Sequence, residues 1–443
     1  MKNITQIISI TVLMFNVLLF SELSKAQEVS ESATAEENYS FHAQATIVTQ
    51  GHYPFTSPYQ GKNSFVSVED AQTSITNTYF GGIKGSWGEF YINPELAAGS
   101  GLSKTLGIAG FPNGEIYRVD NAAPKWNIAR FYVKKVFGLG GETEKIEDEI
   151  NQVATSYDVK RFSVVLGKFA LNDFFDNNTF SHDPRTQFLN WSLMDYGAWD
   201  YAADTRGYSW GVYLEYNQKD WAVRFASVLE PESANEMNYD MNLAKAHGNN
   251  LEVEYRYSLN SQPGTVRFLA YNNRAYMGNY RDAINSPATT KDVTTTRSYS
   301  NKYGFGIGIE QKLTADLGVF SRLSWNDGKT ETWTFTEIDQ SITGGFSLKP
   351  HFFKRPDDVL GAALIFNGLS SDHRDYLAAG GYGFIIGDGK LNYSPEKIFE
   401  TYYLIKVNKE AALTFDYQFV GSPGYNADRG PVSIFGMRLH YEI

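Results

Sequence analysis

The nine residues from Phe435 to Ile443 place the tightest constraint on what this chain can fold into. Phe435, Met437, Leu439, Tyr441 and Ile443 fall on one face of an extended strand, and Gly436, Arg438, His440 and Glu442 on the other. Such an alternation, carried to the last residue, suits a strand with one face in lipid and the other in a wet lumen. The edge strand of a soluble sandwich alternates in the same way, so this segment alone leaves two architectures open.

The rest of the chain separates them. The same two-residue period recurs at Leu251, Val253, Tyr255, Tyr257 and Leu259, at Leu413, Phe415, Tyr417 and Phe419, and at Tyr208, Trp210, Val212, Leu214 and Tyr216. In Phe305, Ile307 and Ile309 the polar face is replaced by Gly304, Gly306 and Gly308, which lack the following helix of a nucleotide loop. With weaker segments, about sixteen strands are predicted: 39–50, 71–82, 87–96, 125–137, 159–170, 206–217, 220–229, 249–259, 264–274, 302–313, 316–326, 332–347, 357–366, 396–407, 411–420 and 432–443. Long and short links alternate between them. Two links break the alternation, a short one at 327–331 and a long one at 138–158. The acidic run of the latter (Glu142, Glu144, Glu147, Asp148, Glu149) predicts a short, solvated periplasmic helix. Links sorted by length are a property of outer-membrane barrels. The expected fold is therefore all-β, a transmembrane antiparallel β-barrel of about 16 strands with long extracellular loops. An even strand count puts both termini on the periplasmic side.

Composition agrees. Lys2, the apolar stretch Ile7 to Phe20 and Ser24-Lys25-Ala26 make 1–26 a signal peptide by pattern, with 27–38 a flexible leader and 39–443 the barrel. There is no cysteine, which excludes disulfides and thiol chemistry. Beyond residue 26 no apolar run approaches the ~18 residues of a helical span, yet 15% of the chain is aromatic. A net charge of −11 argues against a nucleic-acid surface. No plug-sized domain precedes the first strand, as an energised transporter would require. Barrels of about 16 strands leave an aqueous channel, which points to passive diffusion.

The alternation assigns Arg130, Lys134, Glu215, Arg224, Glu252, Glu254, Arg256, Arg322, Asp416 and Arg438 to the lumen face, as solvated groups of both signs. The link 171–205 is too aromatic to stay in water and is expected to fold inward as a constriction. It and the start of the next strand offer Asp183, Arg185, Gln187, Asn190, Trp191, Trp199, Asp204 and Arg206 as candidate contacts. Aromatic rings pack on the C–H faces of sugars, while carboxylates, amides and guanidinium groups exchange hydrogen bonds with hydroxyls. The same aromatics would also serve simply to anchor the loop. His182-Asp183, and Asp372-His373-Arg374-Asp375 beside Ser370 and Ser371, invite a Ser-His-Asp reading, but triads are defined by geometry and not by adjacency. The same groups could hold a divalent ion, with no spacing motif in support.

Several strings resemble the carbohydrate-selective porin (OprB) family. They are Phe41–Thr46 with Gly51–Phe55 and Ser57–Tyr59, Leu106–Gly114, His182–Trp191, Tyr201–Tyr208, Lys302–Phe305, Trp325–Trp333, His373–Gly381 and Asp428–Val432. The resemblance covers most of the chain from about Phe41. It implies an outer-membrane barrel passing mono- or oligosaccharides by diffusion, with Arg and Glu side chains touching sugar at the constriction. It implies carbohydrate solutes and outer-membrane lipid as partners, no cofactor, and either a homotrimer or a monomer. A non-selective porin for small hydrophilic solutes shares all of this architecture.

Overall fold

A computed structural model describes residues 38–116, 122–351 and 354–443. The segments 1–26 and 27–37, read as signal peptide and leader, lie outside the described residues. Eighteen strands follow in chain order. They are β1 (Tyr39–His52), β2 (Gln72–Gly85), β3 (Gly88–Gly99), β4 (Lys125–Gly138), β5 (Thr143–Ile146), β6 (Thr155–Asp158), β7 (Arg161–Phe169), β8 (Ser209–Asn217) and β9 (Trp221–Val228). Then come β10 (His247–Leu259), β11 (Gln262–Met277), β12 (Ser298–Lys312), β13 (Leu317–Asn326), β14 (Gln340–Leu348), β15 (Val359–Gly368), β16 (Glu396–Lys406), β17 (Ala411–Gly421) and β18 (Val432–Glu442).

Sixteen of these, all but β5 and β6, close into one antiparallel barrel. The seam is β1 against β18, from Gln44↔Glu442 to His52↔Ile434. Closure satisfies every strand edge, the condition for a sheet in hydrocarbon. The C-terminal alternation behaves as read: Phe435, Met437 and Leu439 are exposed on the outer wall, while Arg438 and His440 are buried inside. Ile83, Trp126, Phe131, Leu166, Leu251, Val253, Ile307, Leu364 and Phe415 extend the same apolar exterior around the barrel, as lipid contact requires.

Two expectations about links are corrected. The strand expected at 332–347 begins only at Gln340. Thr332 to Asp339 instead fold inward and are buried, with Trp333, Thr334 and Phe335 donating backbone N–H groups to Asp200. The β13–β14 link is thus 327–339, and apart from the 139–160 insert between β4 and β7 the long links lie at one end of the barrel. The helix expected within 138–158 is a β-hairpin, β5 against β6, from Thr143↔Asp158 to Ile146↔Thr155. β-Branched Thr143, Ile146 and Thr155 favour strand pairing, and a charge run sets solvation without setting the backbone period.

The lumen is not an open tube. The segment between β7 and β8 (170–208) folds into it, and Phe175, Leu189, Leu193, Tyr196 and Trp199 become core. The glycine face of β12 explains part of this fit. A Cβ at Gly306 would lie 2.5 Å from Cγ of Tyr196, and one at Gly308 2.8 Å from its hydroxyl. The glycines make room for a ring of the inserted segment.

Candidate functional site

The inserted segment is held by side chains on the barrel wall. Glu252 and Glu310 accept the backbone N–H groups of Asp176 (2.8 Å) and Thr179 (2.7 Å). Glu400 accepts those of Leu189 and Asn190. Arg322 donates to the carbonyls of Ser181 and Leu193 and pairs with Asp176 at 2.8 Å. Arg438 donates to the carbonyls of Pro184 and Gln187, both at 2.7 Å. Between these anchors a ladder of ion pairs crosses β8 to β12: Glu215–Arg224, Arg224–Glu252, Arg224–Glu254, Arg267–Glu254 and Arg267–Glu310.

This corrects the picture of solvated lumen charges. Arg130, Lys134, Glu215, Arg224, Glu252, Glu254, Arg256, Arg322, Asp416 and Arg438 all face inward. Most of them are neutralised by each other or by loop backbone. Arg256 is the most open, pairing with Glu254 at 3.4 Å and donating to Asn217. Asp416 accepts from Gln418 beneath Asn190. Buried carbonyls and N–H groups need partners, and the wall charges supply them.

Because the segment fills the β9–β18 side, the remaining space lies against β2, β3, β4 and the β7–β8 corner. Here a cavity of about 250 Å³ is bounded by two kinds of surface. One is aromatic. Trp191 lies over Phe111 (ring centroids 4.9 Å, 22° between planes) and beside Phe335 (4.9 Å), with Tyr201 4.7 Å from Phe335. The other is charged. Arg185 donates Nε–H to Glu115 at 2.9 Å and approaches Glu95 at 3.6 Å. Arg130 donates Nε–H to Asp173 at 2.7 Å, while its Nη1 has no hydrogen-bond partner. Tyr208 donates its hydroxyl to Glu95 at 3.2 Å and lies under the Arg130 guanidinium.

The carboxylates of the loops feel this setting. Burial pushes the Glu115 carboxyl up from its ordinary range, and the Arg185 charge draws it back only in part. Burial works in the same direction on Asp183, but there the Arg185 charge and backbone N–H prevail and hold it below its usual value. Burial and the Arg322 charge lower His182, favouring the neutral imidazole.

Of the eight residues singled out from sequence, Asp183, Arg185, Trp191 and Arg206 line the cavity. The other four are braces. Gln187 accepts the N–H groups of His182 and Asp183. Asn190 caps Ser192 and donates to Gly110 and Gln418. Trp199 donates Nε1–H to Asn250 at 2.9 Å. Asp204 pairs with Lys168 and accepts from Tyr239. Glu95, Glu115, Asp173, Phe111, Tyr208 and Phe335 also line the cavity and were not singled out. The Glu89, Tyr91, Asn93, Glu95 alternation carried a signal for Glu95. Nothing in strand periodicity marks Phe111, Glu115 or Phe335, which arrive on loops.

The Ser and His side chains of the His-Asp neighbours are engaged in hydrogen bonds of the fold. Ser370 donates its hydroxyl to the Gly328 carbonyl at 2.6 Å and accepts the backbone N–H of His373, capping the helix Ser371–Ala378. The His373 ring faces Asp339 at 3.0 Å. His182 Nδ1 lies 3.2 Å from the Met194 carbonyl and 3.7 Å from the Asp195 carboxylate. Among the described residues no group of three or more His, Asp or Glu is placed to hold a metal ion.

A closed sixteen-strand barrel with an apolar exterior, long loops at one end and a passage narrowed by an inserted loop defines an outer-membrane porin. The family model for the carbohydrate-selective porin, OprB family, matches residues 80–442, and the chain belongs to that family. The high-pH structure of Pseudomonas putida OprB is similar with a TM-score of 0.68, at 16% identity, over 92% of this chain and 94% of that one. Its low-pH structure gives 0.51, at 13% identity, over 92% and 93%. At these identities the likeness is one of fold. No curated protein matches the sequence. The barrel resides in the bacterial outer membrane, with the long loops outside and the short turns in the periplasm.

Proposed function

We propose that this porin passes mono- or oligosaccharides by diffusion through the eccentric cavity, and that Arg185, Arg130 and Trp191 make the discriminating contacts. The observation that carries the reading is the opposition of an aromatic surface (Trp191, Phe111, Phe335) to paired Arg and Glu or Asp side chains across one small cavity. A pyranose presents both complements, an apolar C–H face and a rim of hydroxyls that donate and accept. Paired charges also suit a neutral solute, because neither sign is left to attract an ion strongly. Asp183 and Arg206 extend the polar rim, while Gln187, Asn190, Trp199 and Asp204 act by holding the loop. The channel works without catalysis, bound cofactor or nucleic-acid partner, with sugar in the lumen and lipid outside, as a monomer or a homotrimer.

Single-channel current in a planar bilayer, titrated with glucose, maltose and a neutral amino acid of similar size, tests this. Saturable block by sugar and not by the amino acid is expected. Arg185→Lys keeps the charge beside Glu115 but loses the planar donor fork. It should weaken sugar half-saturation about tenfold, the scale of one charge-assisted hydrogen bond. Open channels without saturable block would make this a general diffusion porin.

A further inference from the structure

The β5–β6 hairpin joins two neighbouring strands, β4 and β7, that already pair as far as Gly138↔Arg161. A two-residue turn would connect them; the chain spends residues 139–160 instead. Residues 139–149 are largely exposed, with Glu142 bound to Lys219 of the β8–β9 turn, but the tip and return arm are packed against the barrel wall. Val153 is only 1% exposed and packs with Tyr91 and Tyr132 in the main core cluster. Its backbone N–H donates to the Tyr91 hydroxyl at 3.3 Å. Gly82, on the lumen face of β2, makes room for it, since a Cβ there would meet Val153 at 3.1 Å.

The contacts climb one wall. Along the lumen face of β3, Glu89 meets Tyr157, Tyr91 meets Val153, and Asn93 donates to Asn151 at 2.8 Å. The next lumen residue on that strand is Glu95, which lines the cavity. With a rise of about 3.4 Å per residue, the hairpin covers about 14 Å of wall and stops about 7 Å below Glu95. Its tip also reaches across to β1, where Asp148 lies 3.4 Å from His42. The tip and return arm of the hairpin therefore lie along the lumen wall beneath the cavity, on the side of the short turns.

We propose that residues 139–160 form a second, exit-side constriction, with the partly exposed Asn151 and Ala154 setting the size of solute released to the periplasm. It rests on the reading of the barrel as a solute channel, but not on which solute the cavity prefers. The cavity would discriminate by chemistry and the hairpin by bulk. The insert is fixed by packing at Val153 and by polar contacts on both sides of it, so it acts as a standing sill and needs no movement.

Replacing residues 139–160 by Asn-Gly tests the proposal. Conductance should rise about twofold, since a pore's narrow stretches govern its current. Liposome swelling should admit sugars at least one ring larger than wild type does. Half-saturation for sugar block from the loop side should not change. Should that variant not fold, Ala154→Cys provides a single thiol in a chain without cysteine. Reaction with a bulky methanethiosulfonate from the turn side should cut the current in steps that a reductant reverses. Unchanged conductance and size limit in the shortened variant, or thiol modification with no change in current, would overturn the exit constriction. Loss of sugar block in the wild-type channel would instead overturn the sugar reading and leave the sill untouched.

Discussion

Two sides of the same lumen use the same residue types for different ends. On the β9–β18 side, Arg322 and Arg438 are almost entirely buried, and their donors go to loop carbonyls. On the β2–β4 side, Arg130 and Arg185 pair with carboxylates at the edge of a cavity. What distinguishes them is the loop backbone, whose carbonyls engage Arg438 and also Arg322, which pairs with Asp176 besides. A guanidinium engaged by backbone fixes the position of a segment. A guanidinium engaged by a carboxylate beside open space keeps donors for a visitor. The sockets make the passage eccentric, and the eccentric passage gives the second set its contact with solute.

The largest expected effect comes from breaking a socket. Arg322→Ala removes the donors to Ser181 and Leu193 and leaves the Asp176 carboxylate without its cation. Removing one partner of a buried pair costs about 3–5 kcal/mol. Thermal unfolding in detergent should show a lowered Tm, and the bilayer current should rise severalfold as the segment loosens. Arg185→Lys should do the reverse: a clear loss of sugar affinity with Tm near wild type. If Arg185→Lys lowered Tm as far as Arg322→Ala does, the division of the lumen into sockets and passage would be wrong.

A smaller effect should follow pH through the socket side. Burial, opposed by the Arg322 charge, pushes the Asp176 carboxyl up to about 7. An unfolded Asp titrates near about 3.9. Between those values the folded protein holds the proton more tightly than the unfolded chain does. Stability from this group is therefore fully present at low pH and is lost as pH rises through about 7. Between pH 6 and 8 the loss is about 1.4 kcal/mol for a single group of that pKa. Asp176→Asn should flatten this part of the Tm–pH curve. An equally steep curve in the variant would place the titration elsewhere, with Asp195, which burial also raises, the next to test.

The barrel was legible because lipid enforces a two-residue period that few other environments demand, and because loops sort by side of the membrane. The strand pattern of Leu251–Leu259 and Phe435–Ile443 reads straight into the exposed wall. The inward face was legible in direction but not in duty. Alternation tells that Arg322 and Arg438 point inward, not that a loop distant in sequence will cover them. The same gap explains the Thr332–Asp339 error, where β-favouring Thr, Trp and Phe were drawn inward by the Asp200 carboxylate. It also explains why only half of the eight candidate contacts line the cavity. Residue chemistry is the same for a brace as for a contact, and only the fold of 170–208 separates Trp191 from Trp199.

Those two tryptophans give the smallest and sharpest test. They are eight residues apart in one inserted segment, and both are largely buried. Trp191 lies over Phe111 at the cavity, while Trp199 donates to Asn250 on β10 and packs against Tyr201. Trp199→Phe keeps a ring in place and removes one hydrogen bond, worth about 1 kcal/mol. It should lower Tm slightly and leave sugar half-saturation alone. Trp191→Leu removes the ring a sugar would pack on, worth about 0.5–1.5 kcal/mol beyond area. Half-saturation should then weaken by about 2–10-fold. Equal effects of the two substitutions on sugar block would mean that Trp191 acts only through the loop's position. The aromatic surface would then be an anchor, and discrimination would rest on Arg185 and Arg130 alone.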